Sequence, residues 1–221
     1  MKRAVILSGA DLYDDPWHSY RDTSARVGTI LSDNQFEVEI SENIEDRLAD
    51  LNGVDLLVIN TGDPSPDVEK PDANDAMRRG LLDYINRGGP LLVLHFSISS
   101  LRCIQEWESI VGGRWIPGVS MHPEFGRAEV AVYPDRHPIV ATATDFALYD
   151  ERYSYIKVLP DVVPLATHEH DGVDHALLWA RTFGGARVVY DALGHDTRSF
   201  DSASHCEILA RCVHWLVGVP I

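Results

Sequence analysis

Two histidines stand where apolar runs end. Leu91-Leu92-Val93-Leu94 leads into His95, and the run from Ala186 to Tyr190 leads through Gly194 into His195 and Asp196. An imidazole loses its proton at about pH 6.5, so it can serve as general acid, general base or metal ligand. A lone histidine is more often a core residue bonded to backbone; the position at a strand end makes His95 a candidate catalytic residue. His195 is the second, with Asp196 placed either to orient it or to cap the next helix. Ser97 and Ser99 follow His95, but no G-x-S-x-G elbow surrounds them, and they read as caps rather than nucleophiles.

Other polar groups follow other predicted strands. The first strand is followed by Trp17 and His18, the third by Asp63. Farther on, Met121-His122-Pro123-Glu124 and Tyr149-Asp150-Glu151-Arg152-Tyr153 concentrate the remaining chemistry. A paired carboxyl with a raised pKa is a usable acid or base, although an acidic pair is ordinarily solvated. Trp17, Tyr20, Trp107, Trp115 and Tyr153 fall near the expected mouth, and aromatic faces suit sugar rings, but Trp107 fits a core equally well. The chain has ten histidines. There is no HExxH pattern; His95, His122 and His195 are the set that would hold a divalent metal such as zinc if one binds. His137-Pro138 reads as a rigid turn, His168-Glu169-His170 as a hairpin tip, and His205 and His214 as structural.

These residues need a scaffold that gathers them. Up to about residue 110, short apolar strands alternate with helices expected near 21–32, 44–51, 73–86 and 99–110, the first burying Ala25, Ile30 and Leu31. The Pro- and Asp-rich stretch from Asp63 to Asp72 reads as loop. Such alternation implies right-handed crossovers and a parallel sheet, with a strand order of the flavodoxin kind expected. Loops at the C-terminal ends of parallel strands emerge at one edge, where ligands of open α/β sheets bind. The second half has strands with few helices between them, which predicts an antiparallel extension or insertion at about 112–180 within one domain spanning 1–221. A final helix covers about 202–216.

Composition narrows the partners. The 221 residues are 45% apolar and carry a formal charge of -15. That charge disfavours nucleic acid and anionic membranes and leaves small neutral ligands open. Three cysteines without CxxC spacing fit a reducing cytoplasm better than a disulfide framework. The opening apolar run is too short for a signal peptide, and no run approaches a membrane span. Apolar strands in the second half leave a homo-oligomer possible.

The chain resembles the trehalose utilisation (ThuA-like) family, whose fold is similar to the class I glutamine amidotransferase domain. The matching pieces are His18; Gly88-Gly89 through His95; Trp107 with Val111-Gly112-Gly113; His122-Pro123; His137-Pro138; Asp150-Glu151-x-Tyr153; Trp179; and Gly184 through Asp196. They span nearly the whole chain, which departs at Phe96-Ser97-Ile98, where small residues are usual. The resemblance implies a flavodoxin-like three-layer sandwich and work on disaccharides or keto-sugar derivatives. It implies catalytic roles for His95, His195, Glu151 and Asp196, and sugar-binding roles for His18, Trp107, His122 and Tyr153; Asp63 joins the sugar-binding candidates by its place after the third strand. A glutaminase needs a thiolate at the strand-helix turn, and no cysteine precedes Cys103, so that activity is not expected. Three functions remain: an acid-base enzyme on sugars, a sugar-binding or scaffold domain without turnover, and a metal-dependent hydrolase.

Overall fold

The structure is a computed structural model that describes residues 1–63 and 71–221. The loop expected between Asp63 and Asp72 lies, for residues 64–70, outside the described residues. In chain order the strands are β1 (Lys2–Ser8), β2 (Phe36–Ser41), β3 (Leu56–Asn60), β4 (Leu91–Leu94), β5 (Gly113–Arg114), β6 (Gly126–Val132), β7 (Phe146–Asp150), β8 (Lys157–Val158), β9 (Val163–His170), β10 (Val173–Phe183) and β11 (Ala186–Asp191). The α-helices are α1 (Tyr20–Asp33), α2 (Ile44–Ala49), α3 (Pro71–Asn86), α4 (Trp107–Val111) and α5 (Ala203–Leu216).

Nine strands share one sheet in the order β2-β1-β3-β4-β11-β10-β9-β6-β7. The first five run parallel, in flavodoxin-like order. The last four continue the sheet antiparallel. β3 and β4 are buried along their whole length, as continuous Leu, Val and Ile runs require when helices cover both faces. β2, which alternates apolar and charged residues, forms an edge. α1 packs beside α5, and α2 against α3, completing the sandwich. Among the described residues no helix is long and apolar enough to cross a membrane.

Two local expectations are corrected. α1 buries Thr23, Ser24, Val27 and Leu31, whereas Ala25 is exposed. Its small polar residues face inward because the buried Asn60 amide donates to Thr23 Oγ1 (2.9 Å) and Ser24 Oγ (3.0 Å). The helix expected near 99–110 is instead a 3-10 turn over His95–Ser99, an irregular stretch, and the short α4. Leu101 takes a left-handed φ of 52°, and the Ser97 and Ser100 hydroxyls bond Thr61 rather than cap a helix. Those bonds fasten the turn after β4 to the end of β3.

Candidate active site

β4 lies between β3 and β11, so the chain leaves the sheet near its centre at His95. There the backbone turns sharply, with φ of 44°, a region that non-glycine residues seldom occupy. The imidazole is buried and oriented at both nitrogens. Nδ1 donates to the Ala192 carbonyl (2.6 Å), and Nε2 accepts from the Tyr153 hydroxyl (3.0 Å). Because a carbonyl only accepts, the ring carries its proton on Nδ1 and presents a lone pair at Nε2.

His18 is prepared in the same way by a different partner. Asp15 accepts from the backbone N–H of Trp17 and His18, from the Tyr20 hydroxyl (2.7 Å), and from His18 Nδ1 (2.8 Å). Burial works against the Asp15 charge, but hydrogen bonds from His18 and Tyr20 prevail and hold its carboxyl at about 2. Burial lowers the His18 pKa despite Asp15. His18 is therefore a neutral ring with Nε2 free of the Asp15 contact.

Asp150, fully buried, assembles the remaining members. Its Oδ1 accepts from the backbone N–H of Glu151 (2.8 Å) and of His195 (3.1 Å), and Oδ2 accepts from Gly194 N–H (2.8 Å). One carboxylate thus ties the end of β7 to the turn after β11. Gly194 adopts φ of 110°, which a side chain would strain.

The result is a cluster of His18, His95, Glu151 and His195, one potential ligand atom from each lying within 4.8 Å of the others. The three imidazole centroids are separated by 5.0 to 5.5 Å. Glu151 Oε2 is 3.3 Å from both His95 Nε2 and His195 Nδ1. His195 Nδ1 is buried and, despite that proximity, lacks a directed hydrogen bond. Burial opposes the Glu151 charge, yet the two histidines hold its pKa well below the carboxylate range; burial likewise opposes the His195 charge, and Glu151 raises its pKa. Three nitrogens and one carboxylate oxygen form a suitable donor set for a first-row divalent ion.

The other sequence candidates distribute around this centre. Tyr153 is buried against His95, their rings stacked at 4.4 Å. His122 stands outside the four-residue cluster, half-exposed on the rim, with Nε2 3.5 Å from Glu151 Oε1; the metal-competent set contains His18 in its place. Asp196 does not orient His195: its carboxylate caps the 3-10 turn over Thr197–Asp201 and pairs with Arg198. Asp63 pairs with Arg102 outside the cluster. Trp107 is nearly sealed, its indole N–H donating to the Ser97 carbonyl (3.0 Å). Sequence reasoning missed Asp15 as the tether of His18. The D-x-x-H spacing was the available signal, since a loop aspartate readily bonds backbone two and three residues ahead.

A second polar constellation is closed to substrate. Ser199, His205 and Asp191 are hydrogen-bonded in series, with His205 contacting Ser199 Oγ at 3.1 Å and Asp191 Oδ2 at 2.9 Å, and all three are buried. They fasten α5 beneath the His195 turn. A broad cleft of about 610 Å³ opens on the antiparallel half, but none of the four convergent residues lines it. A smaller cleft of about 280 Å³, lined by Ser99, Gln105, Trp107, Glu108 and Trp115, adjoins the His95 turn.

No curated protein matches the sequence. Among solved structures, a ThuA-like protein from Parabacteroides merdae is 17% identical with a TM-score of 0.79, covering 99% of this chain and 91% of that one. A ThuA-like protein from Bacteroides uniformis is 15% identical with a TM-score of 0.76, covering 97% and 91%. A glutamine amidotransferase from Thermotoga maritima is 10% identical with a TM-score of 0.60, covering 98% of each chain. These likenesses show a class I glutamine amidotransferase-like fold. The sequence model described as trehalose utilisation (ThuA) matches residues 3–216, and the chain belongs to that family.

Proposed function

We propose that this protein is a sugar-metabolising enzyme that holds a divalent metal ion, such as zinc, on His18, His95, His195 and Glu151. The carrying observation is the convergence of four donor groups: one ligand atom each from His18, His95, Glu151 and His195 lies within 4.8 Å of the others, and Glu151 Oε2 stands 3.3 Å from both His95 Nε2 and His195 Nδ1. Three imidazole nitrogens and one carboxylate oxygen so placed suit a divalent ion, whose binding would displace any proton shared between them. The outer contacts from Asp15 to His18 and from the Ala192 carbonyl to His95 fix the tautomers that metal-bound histidines need.

The family's description, trehalose utilisation, supports a disaccharide as substrate, and the resemblance noted in the sequence extends this to a keto-sugar derivative. A bound divalent ion supplies Lewis acidity toward a sugar carbonyl or hydroxyl oxygen. His122, exposed beside Glu151, stands where a proton can pass to water. In a keto-sugar the C–H beside the carbonyl is acidified. Its proton goes to a base, the C–H electron pair forms the new double bond, and the glycosidic C–O bond breaks as the leaving oxygen takes up a proton. A glutaminase is not proposed, since the cluster contains no cysteine.

Metal-free acid-base catalysis by the same residues is the second reading. It is favoured by the Tyr153 hydroxyl, which already partners His95 Nε2. Elemental analysis before and after chelation separates the two. We expect stoichiometric metal in the purified protein, loss of 3-keto-trehalose turnover on chelation, and recovery on adding zinc or manganese. Turnover that persists in metal-free protein refutes the metal reading. Full activity in His95→Ala refutes the site, and sugar binding without turnover identifies a binding domain.

A further inference from the structure

We propose that the cleft of about 280 Å³ beside the cluster is a subsite for a second sugar ring, with Trp115 as its platform. This rests on the sugar reading above and names the part of the substrate that lies away from the reacting centre. Small-molecule pockets start at about 300 Å³, so this volume suits one ring rather than a whole disaccharide. The other ring then belongs at the imidazole cluster.

The aromatic side chains set the relation between the two places. Tyr153 stacks on His95 at 4.4 Å, and the half-buried Trp115 meets Tyr153 edge-on at 4.9 Å. Tyr153 thus packs between the candidate catalytic imidazole and Trp115, so the cleft wall lies one aromatic ring away from His95. Trp115 is also 6.4 Å from His122, which places it at the rim where a bound ligand would cross.

The lining has the chemistry of a sugar site. The half-buried Trp115 offers the face for the C–H side of a pyranose, and Ile98, Ile104 and Trp107 form the buried floor beneath it. Polar groups ring that surface. The Ser99 hydroxyl has no hydrogen bond among the described residues, Gln105 offers its amide oxygen, and the Glu108 carboxylate is held between Arg114 and Lys157. Sugar hydroxyls, which both donate and accept, fit such a mixed rim. The charged groups of the lining are paired, Glu108 with Arg114 and Lys157, and Arg102 with Asp63, which suits the rim to a neutral ligand.

The test is calorimetric titration of the metal-loaded protein with trehalose and with methyl α-glucoside, which keeps one ring and replaces the other by a methyl group. Wild type is expected to bind trehalose more tightly. Trp115→Ala should weaken trehalose about tenfold, leave methyl α-glucoside within about twofold, and leave metal content unchanged. Trp115→Phe, which retains a platform, should restore most of the loss. Gln105→Leu, at an exposed rim position, should weaken trehalose selectively even if the tryptophan variant folds poorly. Equal affinity of wild type for the two sugars, or unchanged trehalose binding in both Trp115→Ala and Gln105→Leu, overturns the subsite while leaving the sugar reading intact. A wild-type protein that binds neither sugar overturns both.

Discussion

Replacing Asp150 with asparagine is expected to disable the cluster without altering any of its four members. Asp150 accepts three backbone hydrogen bonds, from Glu151, His195 and Gly194. Asparagine keeps one carbonyl oxygen and turns an NH2 group toward Gly194 N–H. The exchange removes a bond to a charged acceptor, about 1.5–3 kcal/mol, and strands a buried donor at about 1–3 kcal/mol. Together that is about 2.5–6 kcal/mol of strain at the Gly194-His195 turn unless the turn shifts. A shift relieves the strain by moving His195 away from Glu151, with a tenfold to hundredfold loss of metal affinity of the order seen for outer-shell changes, about 10–100-fold. Competition for zinc against a chromophoric chelator, beside thermal melting of the metal-free protein, measures both effects. The cobalt-substituted absorption spectrum should change shape as well. A variant that melts lower but binds zinc with wild-type affinity and spectrum would reduce Asp150 to a stability residue and refute the positioning argument.

Two further predictions concern the same turn and its support. Gly194→Ala forces a side chain into φ of 110° and brings its Cβ to 3.4 Å from Phe200 Cζ, so a loss of about 1–3 kcal/mol and weaker metal binding are expected in denaturant melts and zinc titration; a neutral result refutes the assigned backbone strain. Burial opposes the His205 charge, but Asp191 prevails and raises its pKa. The resulting stability is fully present below the unfolded value of about 6.5 and is lost as pH rises through the higher folded value. His205→Gln should therefore lie farthest below wild type in melting temperature under about pH 6.5, with the gap narrowing at alkaline pH; a gap independent of pH would show that the pair is not ionised in the fold.

The parallel half was legible because its signals are local. Runs such as Leu91 to Leu94 admit little but a buried strand, and their direction brings His95 and His195 to one edge. The antiparallel half was less legible because its register depends on distant partners: β7 pairs with β6, and Glu151 reaches His95 only because the chain returns across the sheet end. The expected helix after His95 did not form there: Ser97, read as a cap, bonds Thr61 together with Ser100, and Ser99 caps nothing among the described residues. Asp196 was ambiguous for a related reason. Its choice between His195 and the following turn is decided by Arg198, which takes its carboxylate.

The place of β11 has a consequence for how the protein is made. This strand comes late in the chain, yet it lies in the interior of the sheet, between β4 and β10. Until it has been synthesised, His95 and the segment carrying Glu151 belong to two blocks with no seam between them. Strand insertion closes that seam and, a few residues later, delivers His195. A nascent chain cannot bring the four convergent side chains together early, so the cluster is complete only once β11 and the turn after it have been made.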